Sequence, residues 1–207
     1  MKKISFNDRY GLTRKVLSGY KTQTRRVIPD IEIDWVRRGK VHLPVGGYEH
    51  GVLFMDVRSI LHDAGISDYA APTKYQPKYE KGEEVAVAQK YRDLRDIIGD
   101  VHDGQSIKFA KGWSNKMFVR ADLMPHRIRI TGIRVERLQD ISDEDCLREG
   151  IMKTDCVAPY GFPVGNGKWK NYRTPQDAFA ALIDKVSGRG TWKRNPWVFV
   201  YEFELVK

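Results

Sequence analysis

Six residues near the start of the chain carry the densest chemistry in it: Lys21-Thr22-Gln23-Thr24-Arg25-Arg26, directly after Gly19-Tyr20. They supply one amine, two hydroxyls, an amide and two guanidinium groups. An amine and a hydroxyl three residues apart suit nucleophilic acyl chemistry, provided burial beside Arg25 or Arg26 lowers the lysine pKa enough for it to accept a proton. The same residues suit a basic edge that grips phosphates. In a flat strand Lys21, Gln23 and Arg25 share one face and Thr22, Thr24 and Arg26 the other, so Lys21 and Thr24 converge only if the segment turns or bulges.

The elements around the motif must fix it in place. Thr13, Val16, Leu17 and Tyr20 fall at helical spacing after a capping Asn7 or Asp8, and Gly19 ends that helix. The motif therefore leaves a helix terminus at a defined position. Val85 to Ala88 predicts a short buried strand, and Met117 to Val119 another. In Arg127 to Leu138 the alternation of Ile128 and Ile130 changes parity at Gly132 to Ile133 and Val135, the pattern of a β-bulge. Ser142 to Asp145 reads as a capped, acidic helix start, and the helix stops at Glu149-Gly150. A carboxylate at that end opposes the helix dipole, which calls for exposure or a function. Gly161 to Arg173 reads as a loop; its Gly165-Asn166-Gly167-Lys168 has neither the spacing nor the hydroxyl of a nucleotide-binding P-loop. Thr174-Pro175 opens the best helix, and Trp197 to Val206 alternates as an aromatic core strand. Trp192 and Trp197 are expected as core anchors.

Composition sets the outer bounds. The 207 residues carry 36 Lys and Arg against 27 Asp and Glu, a formal charge of +9, which favours an anionic partner and nucleic acid first. The two cysteines, Cys146 and Cys156, are too few for a disulfide framework, and the five histidines have no paired-ligand spacing, so neither metal nor cofactor is expected. No apolar run approaches the roughly 18 residues of a membrane span, and a secretory h-region is lacking; the expectation is a cytoplasmic protein without a membrane partner.

Taken together, Gly19-Tyr20-Lys21-Thr22-Gln23-Thr24-Arg25-Arg26 resembles the G-x-K-x-x-T-x-R signature of the ASCH superfamily, as found in bacteria and their prophages. Lys81-Gly82-Glu83 is similar to that family's turn before a barrel strand, with one residue fewer between lysine and glycine. The acidic helix ending in Glu149-Gly150 and the aromatic strand from Trp197 follow in the family's order. The resemblance covers about half of the chain. It implies an α+β, mainly β fold: a small PUA-like β-barrel with a few flanking helices and inserted loops. The whole of 1–207 would be one domain, with insertions at about 27–79, 92–115 and 152–173.

Small members of that family include amidohydrolases that remove acetyl from N4-acetylcytidine with a Lys, a Thr three residues on and a later Glu. By motif position these fall on Lys21, Thr24 and Glu149. Other members bind RNA, and some have been described as ribonucleases. The expected partner is thus RNA or a modified nucleoside. Thr22, Arg25 and Arg26 are the candidate contacts in the motif, and Lys168, Trp169, Lys170, Tyr172 and Arg173 are those that interleave charge with stacking rings.

Overall fold

The computed structural model describes residues 1–28, 48–49, 52–53, 77–102 and 105–206. In chain order these form β1 (Lys3–Ile4), α1 (Leu12–Leu17), β2 (Gln23–Val27), β3 (Tyr48–Glu49), β4 (Val52–Leu53), β5 (Glu84–Val87), α2 (Tyr91–Ile98), β6 (Val101–His102), β7 (Gln105–Ser106), β8 (Arg127–Arg137), α3 (Asp143–Arg148), β9 (Met152–Lys153), β10 (Tyr160–Gly165), β11 (Lys168–Tyr172), α4 (Pro175–Val186), α5 (Thr191–Arg194) and β12 (Trp197–Val206). Short 3₁₀ turns connect several of them. The fold is mixed α and β, and mainly β.

A five-stranded sheet in the order β1-β5-β8-β12-β2 organises the molecule. Its spine is the antiparallel β8–β12 pair, running from Trp197 opposite Arg137 to Val206 opposite Arg127. The register shifts where Gly132 faces Glu202 and Ile130 faces Phe203, which leaves Thr131 as the extra residue of the expected bulge. Only β1 pairs in parallel, with β5. A second sheet has the order β11-β10-β9.

The sheet does not close into a barrel among the described residues. β1 is two residues long, and β2 bonds to β12 on one side only, so both remain edges. The edges nevertheless approach each other. The chain just beyond β1 reaches β2, where Arg26 Nη2 donates to the Ser5 carbonyl at 2.8 Å.

The main core draws on the whole length of the chain, from Ile4 and Phe6 through Val85, Ile128, Ile130 and Phe162 to Phe179, Leu182 and Tyr201. The centre of β12 is buried on both faces, Val198 and Val200 as fully as Phe199, Tyr201 and Phe203, since both sides of the sheet carry packed layers. A smaller cluster under α2 joins Ala86, Ala88, Tyr91, Leu94, Ile107, Val119 and Met124. α4 begins as expected, with Pro175 in its first turn and the Thr174 hydroxyl accepting from the Asp177 amide. It turns Ala178, Phe179, Leu182 and Ile183 inward. Trp192 meets Phe179 edge to face, and Trp197 packs against the core beneath the Arg137 guanidinium, 4.3 Å from its ring.

Two local expectations are corrected. Residues 116–118 form a 3₁₀ turn rather than a strand, and Asn115 caps it by accepting from the Met117 amide. The stretch from Gly161 to Arg173 is not a loop but the β10–β11 hairpin. Its two-residue turn is Asn166-Gly167, with φ of +52° and +69°. Positive φ at both central residues matches the twist of the flanking strands, and Asn-Gly is the pair best suited to it. β10 delivers Phe162, fully buried, to the main core. The sequence pattern predicts strands at 31–36 and 51–57 and a short helix at 56–63; apart from Val52–Leu53 these lie outside the described residues.

Candidate functional site

Backbone contacts at three points hold the motif. The Lys21 amide donates to the Lys15 carbonyl at the end of α1, the Thr22 amide to the Arg148 carbonyl at the end of α3, and the Thr22 carbonyl accepts from Phe203 of β12. Lys21 and Thr22 precede the strand, which starts only at Gln23. Lys21, off the strand, and Thr24, on it, line one small cavity of about 110 Å³ together with Glu149 and Phe179.

Inside that cavity Lys21 is 2% exposed. Its Nζ donates to Glu149 Oε2 at 2.5 Å and to the Glu149 carbonyl at 2.7 Å. The other Glu149 oxygen accepts from Arg25 Nη1 at 3.1 Å. Glu149 is the C-cap of α3, and its position against the helix dipole is thereby accounted for: two buried cations, rather than solvent, hold it. Gly150, with φ of +105°, allows this approach. A Cβ there would stand 3.3 Å from Lys15 Cδ and from Leu12, and 3.6 Å from Lys21 Cδ.

Burial pushes the Lys21 amine below its ordinary value. Glu149 opposes that shift, and Arg26 and Arg25 reinforce it. A second buried amine, Lys15, donates to the Gly150 carbonyl and is pushed down to about 8 by burial and by the nearby charge of Lys21. Two buried amines with weakened hold on their protons therefore bond to the Glu149-Gly150 segment.

Arg25 has a different task from the one expected. Its side chain is wholly buried and engages Glu136, Asp145 and Glu149. Burial works against its charge, but these carboxylates outweigh it and raise its pKa. Arg134 continues the network to Glu136, Asp145 and Glu202, and Gln23 also bonds to Glu202. Such a charge is already fully paired and cannot meet a phosphate. Removing one member of a buried network of this kind typically costs about 3–5 kcal/mol, because the partners stay buried without compensation. Gln23, Arg134, Glu136, Asp145 and Glu202 escaped the sequence reading. The available signal was parity: Gln23 and Arg25 share a strand face, and a buried arginine face demands carboxylates opposite.

Arg26 lies on the other face, opposite Phe199 across the β2–β12 ladder, and stays partly exposed. Thr22 is fixed through its backbone. Lys168, Trp169, Lys170 and Arg173 are exposed on or beside β11, and none of them lines the Lys21 cavity. Tyr172 is partly buried, its ring stacked on Phe162 at 6.2 Å with 10° between planes, so one face serves the core. Among the described residues no group of His, Cys, Asp or Glu is arranged to hold a metal ion, and no helix is long and apolar enough to cross a membrane. Comparison of the chain with protein-family models, curated proteins and solved structures finds no match.

Proposed function

We propose that this chain is an ASCH-type protein of PUA-like fold and acts as a metal-independent amidohydrolase that removes acetyl from N4-acetylcytidine. One observation carries the reading: Lys21 Nζ, 2.5 Å from Glu149, shares a cavity with Thr24. A nucleophile, a base for it and a group to protonate the leaving amine are the minimum for amide hydrolysis. In its neutral form the Lys21 amine takes the proton from the Thr24 hydroxyl as the oxygen attacks the acetyl carbonyl. The Arg26 guanidinium, or a backbone N–H, stabilises the oxyanion. As the C–N bond breaks, the proton passes from Lys21, through Glu149, to the departing N4 of cytidine. Water then cleaves the acetyl ester of Thr24, releasing acetate and restoring the hydroxyl.

The cavity volume fits this division of labour. About 110 Å³ is well below the roughly 300 Å³ at which pockets enclose drug-sized ligands, so it admits the acetyl end while the nucleoside stays outside. Purified protein is expected to release acetate from N4-acetylcytidine, and Lys21→Ala and Thr24→Val to abolish release with the circular dichroism spectrum unchanged. Equal turnover in wild type and Lys21→Ala would refute the reading.

A second reading, RNA binding without hydrolysis, is favoured by the exposed Lys168-Trp169-Lys170 strand, where two cations flank an available indole. A ribonuclease would place its chemistry on the same surface or at Lys21.

A further inference from the structure

A larger cavity, of about 360 Å³, opens on the face of β2 that carries Arg26. Its size is within the roughly 300–1,000 Å³ of small-molecule sites. Four cations line it, Lys3, Arg26, Lys78 and Lys116, and among the described residues no carboxylate does. Lys116 is paired with Asp8 at 2.7 Å. The others meet only uncharged groups among the described residues. Lys3 Nζ donates to the Met117 and Val119 carbonyls at 2.7 and 2.8 Å, Arg26 to the Ser5 carbonyl, and Lys78 Nζ lies 5.5 Å from the Tyr79 ring centre. Three positive charges thus converge on one concavity without a counter-charge among its described lining residues.

The floor is aromatic and rigid. Tyr79 and Tyr201 meet edge to face at 5.3 Å, and Phe199 adjoins Tyr201 at 6.3 Å. Both phenol groups are tied to backbone: Tyr79 donates to the Lys3 carbonyl at 2.9 Å, and Tyr201 Oη accepts from the Lys78 amide at 2.8 Å. A ligand would find these walls already ordered, which lowers the entropic cost of binding.

We propose that this cavity binds a single nucleoside monophosphate, its phosphate held by Lys3, Arg26 and Lys78 and its base against the accessible apolar lining of Val27, Met117 and the edge of Phe199. The cluster of cations recognises the dianion, and the apolar lining over the ordered aromatic floor takes the base. The assignment does not depend on the hydrolase reading, although Ser5, Arg26 and Val27 line both cavities.

Titration calorimetry at low salt with CMP, cytidine, inorganic phosphate and a cytidine tetranucleotide tests it. CMP is expected to bind at least about tenfold more tightly than either cytidine or phosphate, since each lacks one half of the recognition. Lys78 is exposed, so Lys78→Glu leaves the core intact; it is expected to weaken CMP at least about tenfold, and Lys78→Arg to retain it. Lys21→Ala is expected to bind CMP as wild type does, because Lys21 does not line this cavity. Equal affinity for CMP and cytidine, or CMP binding insensitive to Lys78→Glu, would overturn the proposal. So would binding of the tetranucleotide without CMP, which marks an RNA track, or loss of CMP binding in Lys21→Ala, which moves the nucleotide to the smaller cavity.

Discussion

At the residue scale the informative group is an amine that the proposed reaction does not use. Lys15 is buried, bonds to the Gly150 carbonyl, and titrates at about 8 instead of 10.5. Below pH 8 folded and unfolded chains both carry this proton, and the folded chain bears the cost of a buried ammonium. Between about pH 8 and 10.5 the folded chain releases a proton that the unfolded chain keeps, so this group's contribution to stability rises with pH. Urea unfolding of wild type and Lys15→Met across that window is expected to show wild type gaining on the variant as pH rises. A constant difference would mean that Lys15 keeps an ordinary pKa. The chemistry of Lys21, Thr24 and Glu149 could be named from sequence because their types and order suggest it. The arginine could not be assigned so easily. Arg25 and Arg26 are adjacent and identical in type, yet strand parity sends one into a carboxylate network and the other to the Ser5 carbonyl beside an open cavity.

Among the elements, those with a local signal were legible. The caps of α3 and α4 sit on Ser142 and Thr174, and the bulge in β8 falls beside Gly132. Each follows from hydrogen-bonding or backbone freedom within a few residues. The β10–β11 hairpin also had its signal in Asn166-Gly167, but sparse apolar alternation in Lys168 to Tyr172 concealed the second strand, whose first three residues are exposed. What no local pattern reveals is that this hairpin is structural. Phe162 contacts Tyr10 edge to face at 6.0 Å and stacks on Tyr172. Phe162→Ala is therefore expected to destabilise the protein by about 3–5 kcal/mol, as for other buried phenylalanines, measured by denaturant titration. A loss below about 1 kcal/mol would mark 152–173 as a dispensable addition.

For the whole molecule the formal charge of +9 is unevenly spent. The interior of the site consumes Arg25 in ion pairs, while Lys168, Lys170 and Arg173 remain exposed on one hairpin and three further cations converge on the larger cavity. If single-stranded RNA is a partner, its log affinity is expected to fall linearly with log salt, by about 0.7 per phosphate contacted. Lys168→Glu with Lys170→Glu should then reduce the slope by about 1.4, measurable by fluorescence anisotropy at several salt concentrations. An unchanged slope would remove this hairpin from the interface. Closure into the expected barrel is a matter of long-range geometry, and among the described residues the sheet does not close. Short edge strands and a single bridging contact from Arg26 to Ser5 leave the described sheet open.

The order of that sheet also governs when the site can exist during folding. Among the described residues β2 has one strand partner, β12, and Thr24 faces Tyr201 across 177 positions of sequence (201 − 24). Glu149 belongs to a helix whose network closes through Glu202 on the same last strand. Contacts of such sequence separation form late and slowly, because the loop entropy must be lost before they stabilise anything. On a ribosome, Lys21 is made well before β12, yet its buried surroundings cannot assemble until β12 has emerged. The nascent chain carries the motif throughout synthesis as a solvated, fully protonated lysine, and its altered amine is the last property the fold confers.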